Sequence, residues 1–281
     1  MQACEFKISS GTLRGVTNGQ NGQVVLALHG FLDNAASMLC LAPHMSRYQF
    51  IAIDLPGHGL SDHRPKGAQY NQMDYIQDLH ELVVTQKWDK IIIVGHSMGG
   101  ILASIYASVF PEHVTAIALI DACGPLTMPA ETSAEQLRAS ILSRLPKPSR
   151  ATGVREVDLD AAVSARCKMS DISPEHARVI LQRNITVLEN GVSGWRSDPR
   201  LRTKSSLRLT EAQAKNLLEA IECPVWIGGA TDSFKEMDTT YEKRKSWLKN
   251  SRFELFSGGH HFHMVNPSTV SKAICQFVEE M

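Results

Sequence analysis

The sequence predicts an α/β fold in which a mostly parallel, eight-stranded sheet is flanked by helices. Short apolar runs alternate with helical patterns, and most of the runs are apolar throughout, as strands buried on both faces are. The predicted parallel strands are residues 24–28, 50–53, 91–94, 114–120, 225–227 and 253–256. Residues 5–8 and 13–17 are predicted to form an antiparallel start to the sheet.

Helical patterns separate these strands, at residues 34–47, 71–87, 97–110, 210–221, 239–249 and 267–280. The alternation stops after residue 121, and the next eighty residues contain no convincing buried strand but three helical patterns, at 133–145, 159–169 and 174–190. We therefore predict a core of residues 1–122 and 206–281, with a helical cap of residues 123–205 inserted after the sixth strand. A separate helical domain packed elsewhere is the alternative.

The composition argues against several classes of partner. The chain has 281 residues, 43% of them hydrophobic, and 29 basic residues balance 29 acidic ones, so nucleic acid is not an expected partner. We found no apolar run of signal-peptide or membrane-spanning length, which makes the cytoplasm the expected location. Six cysteines without a CxxC pair are expected to be reduced and to pack as small apolar groups.

A serine between glycines follows the predicted strand 91–94. The sequence reads Gly-His-Ser-Met-Gly at residues 95–99, with Ser97 at its centre, and a helical run follows. Strand, sharp turn and helix form the setting of a nucleophile elbow, because flanking glycines allow a turn that a Cβ would resist. We therefore predict that Ser97 is a nucleophile; a purely structural turn is the alternative.

A serine nucleophile needs a histidine to accept its proton and a carboxylate to orient that histidine. Asp232 follows the predicted strand 225–227 and is the candidate acid, while Asp121, which ends the strand before the insertion, is the alternative. His260 directly follows a glycine pair at the exit of the last strand and is the candidate base. The sequence therefore predicts a Ser-His-Asp triad.

Two backbone amides are predicted to stabilise the oxyanion of an acyl-transfer reaction. Met98 follows the nucleophile and supplies the first amide, and Phe31 supplies the second from the loop after the strand 24–28. Gly30 allows close approach of the backbone in this loop. His29 is expected to hold the loop by hydrogen bonds rather than to act as a base.

The remaining polar residues near these motifs are expected to be structural. Asp54 precedes a glycine-containing loop and is expected to shape it. His261 and His263 are expected in a surface loop or at a helix start. A metal site at these histidines is the alternative, but the sequence offers no nearby cluster of carboxylates or cysteines to complete it, so no metal or other cofactor is predicted.

Three motifs carry a resemblance to known proteins. The sequence reads HGFLDNAAS at residues 29–37, DLPGHGLS at 54–61 and WRSDPRL at 195–201. Together with the serine elbow, they resemble the α/β-hydrolase fold superfamily and, within it, the serine hydrolase-like proteins, over nearly the whole chain. The third motif is expected to brace the cap, and lining the substrate side of the cap is the alternative.

The resemblance implies the same site as the residues do, a triad with two amide donors: Ser97, Asp232, His260, Phe31 and Met98. The fold alone does not define a substrate, because it carries many chemistries. In this superfamily, dehalogenases and epoxide hydrolases use an aspartate at the elbow, so the serine of this chain favours acyl chemistry.

We therefore predict a serine hydrolase that acts on a small or medium carboxylic ester through an acyl-enzyme, without a cofactor. Met128, Leu142 and Met169 are candidate lining residues of its apolar pocket. A carbon-carbon bond hydrolase, a thioesterase and a non-catalytic ligand-binding protein are alternatives. A nucleotide-binding enzyme is disfavoured, since no GxxxxGK[ST] or GxGxxG motif follows a predicted strand.

Overall fold

The computed structural model describes residues 1–145, 156–188, 191–233 and 237–281. Its main sheet has eight strands in the order β1-β2-β4-β3-β5-β6-β9-β10. The strands are β1 (Gln2–Ile8), β2 (Gly11–Thr17), β3 (Val24–Leu28), β4 (Gln49–Ile53), β5 (Ile91–His96), β6 (Val114–Ile120), β9 (Val225–Ala230) and β10 (Ser251–Phe256). From β4 to β10 every neighbouring pair is parallel, and β2 is antiparallel to both β1 and β4, as predicted.

Helices cover both faces of this sheet. The α-helices are α1 (Gln72–Thr85), α2 (Met98–Val109), α3 (Ser133–Arg144), α4 (Leu159–Met169), α5 (Pro174–Asn184), α6 (Glu211–Glu219), α7 (Met237–Arg244), α8 (Phe262–Val265) and α9 (Pro267–Glu279). Buried side chains of α1, α2 and α6 pack on one face, while those of α8 and α9 pack on the other. Within the described ranges, no helix combines the length and the apolar character that crossing a bilayer requires.

The predicted helix at 34–47 is wrong. This stretch forms two 3₁₀ segments, Ala35–Ser37 and Leu39–His44. Two side chains prevent an α-helix from starting here. The Asn34 side chain accepts a hydrogen bond from the Ala36 amide, and the Asp54 carboxylate accepts one from the Ala35 amide. Pro43 lies inside the second segment and removes a further donor.

Residues 123–205 are the predicted insertion and are called the cap segment below; their described part contains α3, α4 and α5 and a short two-stranded ribbon that the sequence did not predict. The ribbon pairs β7 (Ile185–Val187) with β8 (Ser193–Trp195). The predicted helix 174–190 therefore ends at residue 184, where the next three residues are all β-branched and favour extended backbone; its last two residues lie outside the described ranges.

Helices α4 and α5 lie over the carboxyl ends of β3 and β4. Arg166 of α4 forms an ion pair of 2.6 Å with Asp33, which follows β3, and Arg183 of α5 forms one of 2.8 Å with Asp54, which follows β4. Apolar residues of both helices also pack around Met264 of the core. Helices α4 and α5 therefore lie beside the loops that carry the predicted site. Asp54 shapes its loop as expected, since its Oδ2 accepts a hydrogen bond from the Leu60 amide at 2.8 Å.

Candidate active site

Ser97 lies on a strained turn between β5 and α2. Its backbone has φ +50° and ψ −114°, outside the regions that a serine prefers. The turn is tight because strand and helix pack backbone against backbone: a Cβ on Gly99 would lie 2.2 Å from the Leu28 carbonyl oxygen, and one on Gly95 would lie 2.4 Å from Gly99. The two glycines therefore make the elbow possible, as the motif predicted.

His260 is paired with Asp121, which directly follows β6. The imidazole Nδ1 donates a hydrogen bond to Asp121 Oδ2, whose side chain is 1% exposed, whereas that of His260 is 18% exposed. A histidine that donates through Nδ1 to a carboxylate has Nε2 as its basic atom. Ser97 follows β5, the strand next to β6, and its amide donates to the carbonyl of Ile120, so serine and carboxylate leave neighbouring strand ends.

Asp232 does not occupy the position predicted for it. It is exposed, its amide donates to the Gly258 carbonyl oxygen at 2.9 Å, and its carboxylate makes no hydrogen bond to any residue in the described part of the chain. This geometry argues against Asp232 and favours the alternative, Asp121. The physical reason is the local fold of the loop after β9, which holds Asp232 by its amide and leaves its side chain exposed, while the His260 ring is directed at the buried Asp121.

Strained backbone conformations are concentrated in the loops that carry the predicted site. Among the described residues, four that are not glycine have a positive φ, and three of them are Leu32, Ser97 and Asp121, with φ of 60°, 50° and 50°. The fourth, Lys87, follows α1. Such conformations cost free energy and cluster at functional sites. Asp232 is not among them.

The predicted oxyanion donors have no competing acceptor. Neither the Phe31 amide nor the Met98 amide donates a hydrogen bond within the described ranges. Met98 is the first residue of α2, where an amide has no partner inside the helix. His29 braces the Phe31 loop as expected, since its Nδ1 donates to the Gly30 carbonyl oxygen at 2.8 Å and its Nε2 accepts from the Leu55 amide at 2.9 Å.

His261 and His263 are buried, so the surface-loop alternative is wrong, whereas the helix-start alternative is confirmed. They lie at the start and inside of α8, with 3% and 0% exposure. His261 Nε2 donates to Asp33 Oδ2 at 3.1 Å, and His263 Nε2 donates to the Ser37 carbonyl oxygen at 3.1 Å. The expectation that no carboxylate lies near them is also wrong, because Asp33 is remote in sequence.

Burial dominates the electrostatics of this cluster. Burial, reinforced by His263, His260 and His261, holds the pKa of His96 well below its usual range. Burial, with His261 next in effect, lowers the pKa of His263 to about 3. For Asp33, burial favours the neutral acid, but the hydrogen bond from His261 and the charges of His261 and Arg166 outweigh it and lower the pKa. Asp33 is therefore a buried carboxylate.

Ser233 was missed by the sequence reasoning. Its hydroxyl donates a hydrogen bond to the same oxygen of Asp121 that accepts from His260. It follows Asp232 directly, so this loop supplies a partner for the carboxylate rather than the carboxylate itself. A serine next to an expected acid gives no signal of this kind in a single sequence.

The motif at 195–201 braces the cap segment, as predicted. Asp198 accepts hydrogen bonds from Tyr70 and Arg200, and Arg200 also donates to the backbone carbonyl groups of Arg64 and Pro65. These contacts join the cap segment to the loop before α1.

The candidate lining residues differ in exposure. Met169 is 86% exposed at the end of α4, so the structure contradicts it as a lining residue. Leu142 is 52% exposed, and Met128 is partly buried. The lining roles of Leu142 and Met128 stay predictions.

The comparisons with known proteins extend over the whole chain. A family model described as alpha/beta hydrolase fold matches residues 23–144. The chain is 31% identical to a serine hydrolase-like protein of Danio rerio, covering 99% of this chain and 89% of that protein. It is 33% identical to a serine hydrolase-like protein of Dictyostelium discoideum, covering 93% and 76%.

Solved structures agree with this result. A hypothetical protein of Pseudomonas aeruginosa PAO1 superposes with a TM-score of 0.84 at 31% identity, over 99% of this chain and 98% of the other. A thioesterase domain from the curacin biosynthetic pathway superposes with a TM-score of 0.84 at 22% identity, over 98% and 99%. The second likeness concerns the fold alone. The fold class predicted from the sequence is therefore confirmed.

Proposed function

The chain belongs to the serine hydrolase-like family of the α/β-hydrolase fold and is a hydrolase, and from this premise we propose that it cleaves small or medium carboxylic esters through an acyl-enzyme on Ser97. The observation that carries the proposal is the pairing of His260 with the buried Asp121 carboxylate beside the strained serine turn. Our proposed triad is therefore Ser97, His260 and Asp121, in place of the Asp232 version.

The proposed reaction has two halves. Ser97 Oγ attacks the ester carbonyl carbon while His260 Nε2 takes the hydroxyl proton, and the amides of Phe31 and Met98 stabilise the oxyanion. The tetrahedral intermediate collapses as Nε2 returns the proton to the departing alcohol. Water then attacks the acyl-enzyme with the same base, and the carboxylic acid is released. Asp121 stabilises the imidazolium in both halves, and this chemistry needs no cofactor.

Charge near the site supports an uncharged acyl group as the substrate. Two arginines of the cap segment contact the loops after β3 and β4, and both are paired with carboxylates of the protein, Arg166 with Asp33 and Arg183 with Asp54. Neither is therefore available to hold a charged group of a substrate without breaking a buried pair, which is costly. We accordingly favour simple esters over esters that carry a carboxylate of their own.

The test is hydrolysis of p-nitrophenyl esters of graded chain length, beside matched thioesters and amides. We expect turnover of short and medium esters by the wild-type protein. Ser97→Ala should abolish it while leaving the thermal melt nearly unchanged. Ser108→Ala is the matched control, because Ser108 is a serine of the helix that follows the elbow and its hydroxyl bonds a carbonyl of that helix.

Each outcome separates one alternative. Full activity of Ser97→Ala would contradict the proposed nucleophile. Faster turnover of thioesters than of esters would keep the mechanism but replace the substrate class. A folded wild-type protein that cleaves none of these compounds and gives no acyl adduct by intact-mass measurement would favour a non-catalytic ligand-binding protein.

A further inference from the structure

Four histidine rings pack together beside the proposed triad. The ring of His96 lies 4.6 Å from that of His260, 4.9 Å from that of His261 and 4.4 Å from that of His263, measured between ring centroids. The proposed mechanism uses His260 alone. The other three are almost fully buried, and each keeps an Nδ1 atom without a hydrogen-bond partner in the described part of the chain.

The protonation of His96 follows from its neighbours. Its Nε2 lies 2.9 Å from the backbone carbonyl oxygen of His260, and a carbonyl accepts, so Nε2 carries the proton. Nδ1 of the neutral ring is then a bare lone pair, 3.7 Å from Asp33 Oδ2. Two buried acceptors that face each other are unfavourable unless a proton donor or a cation lies between them.

A third donor atom completes this arrangement. His261 Nε2 lies 3.1 Å from the same Asp33 oxygen, and the three atoms lie within 4.8 Å of one another. Metal bonds of about 2.0–2.2 Å in a tetrahedral zinc site place ligand atoms roughly 3.4 Å apart, so modest side-chain rotations would close the set. We propose that His96 Nδ1, His261 Nε2 and Asp33 Oδ2 bind one divalent transition-metal ion such as Zn²⁺. His261 would then carry its proton on Nδ1.

Arg166 places a second positive charge next to the proposed metal site. Its guanidinium contacts Asp33 Oδ1, the carboxylate oxygen that the ion would not use, at 2.6 Å. A divalent cation and a guanidinium that contact the same carboxylate repel each other. The positive charge of Arg166 therefore lowers the affinity of this site for the ion. Arg166 belongs to the cap segment and is 21% exposed, so it has a path to solvent when the ion binds.

The ion would act on the proposed triad through His96. This residue precedes Ser97 in the chain and holds the carbonyl group of His260, so fixing its ring fixes the separation of the two catalytic elements. The inference is independent of the proposed ester substrate, because metal binding can be measured without any activity.

The experiment uses tag-free protein dialysed against micromolar Zn²⁺ and then against metal-free buffer. We expect about one retained ion per chain and a melting temperature that rises with Zn²⁺ concentration. Asp33→Asn and His261→Gln should each weaken binding by about tenfold or more. His44→Gln removes an exposed histidine outside the cluster and should bind as the wild type does.

The variant Arg166→Gln separates loss of a metal ligand from damage to the fold. Because it removes the opposing charge, it should bind Zn²⁺ more tightly than the wild type, a gain that a damaged fold would not produce. No retained Zn²⁺ in the wild type would overturn the proposal. So would equal binding by the wild type and by Asp33→Asn and His261→Gln, or weaker binding by Arg166→Gln.

Discussion

Asp121 and Asp232 follow neighbouring strands of one sheet but have opposite environments. Asp121 is buried at the end of β6, has a positive φ, and accepts hydrogen bonds from His260 and Ser233. Asp232 is exposed after β9, in a turn where only its backbone is engaged among the described residues.

In the triad that we propose, the choice of carboxylate therefore depends on what surrounds each aspartate and not on which strand precedes it. A carboxylate can stabilise an imidazolium strongly when it is desolvated and held by donors, and weakly when it is free in water. The loop after β9 still contributes to the site, but through the hydroxyl of Ser233. If the two strand ends are as unequal as their environments indicate, changes at Asp121 should reduce activity far more than changes at Asp232.

The largest expected effect is that of Asp121→Asn. The amide keeps the shape of the side chain but removes its charge and favours the wrong tautomer of His260, so kcat for ester hydrolysis should fall about 10³- to 10⁴-fold. Steady-state kinetics on the best p-nitrophenyl ester measures this. A fall of less than tenfold would contradict the assignment.

Acid pH should destabilise the folded protein, because two of its buried histidines stay neutral. Burial lowers the pKa of His58 and of His263 to about 3, whereas in the unfolded chain such groups titrate near pH 6.5. Between pH 3 and pH 6.5 the unfolded state therefore binds more protons than the folded state. The free energy of unfolding should be highest above pH 6.5 and decrease as the pH falls towards 3. Melting temperatures from pH 8 to pH 4 test this.

Two variants sharpen the acid measurement. His263→Gln should lose part of the pH dependence, and exposed His44→Gln should retain all of it. A melting temperature that stays constant from pH 7 to pH 4 would contradict the account of buried neutral histidines.

Ser233→Ala should have an intermediate effect. It removes one donor from Asp121 and leaves the charge, so kcat should fall by about tenfold, in line with the loss of one hydrogen bond to a charged group. The carboxylate would then be oriented less firmly towards His260 and would stabilise the imidazolium less, so the acid limb of the kcat/KM profile should move to lower pH. Ser233→Thr should restore both. A fall in kcat with an unmoved profile would indicate a structural role alone.

The smallest expected effect is that of Asp232→Asn, which should change kcat/KM by less than about twofold because the carboxylate is exposed and screened. The double variant Asp121→Asn/Asp232→Asn should be no slower than Asp121→Asn. A further large loss in the double variant would mean that Asp232 replaces Asp121 when needed, and the contrast between the two strand ends would be weaker than we describe.

The sequence predicted those parts of the molecule that depend on local pattern. Strands 24–28 and 114–120 have the predicted bounds, and the elbow at Ser97 lies where its glycines indicated. The choice between Asp121 and Asp232 was open because both follow apolar strands. It depends on which carboxylate the fold buries against His260 and on a positive φ that aspartate tolerates, and neither can be read from one sequence.

The buried histidines and the 3₁₀ segments were missed for a related reason. His261 and His263 are polar residues after a glycine-containing turn, which is typical of a surface loop. Their burial depends on Asp33 and His96, which are far away in the chain. The segment after Asn34 was predicted as a helix because its apolar spacing is helical, but contacts from Asp54 determined its backbone.

Labelling by a fluorophosphonate tests the central claim most directly, because the probe reacts at the serine itself and needs no knowledge of the substrate. Rates of adduct formation at Ser97, mapped by peptide mass, should be similar for the wild type and Asp232→Asn and lower by about a hundredfold or more for Asp121→Asn and His260→Ala. An adduct at another serine, or a larger loss in Asp232→Asn than in Asp121→Asn, would contradict the account.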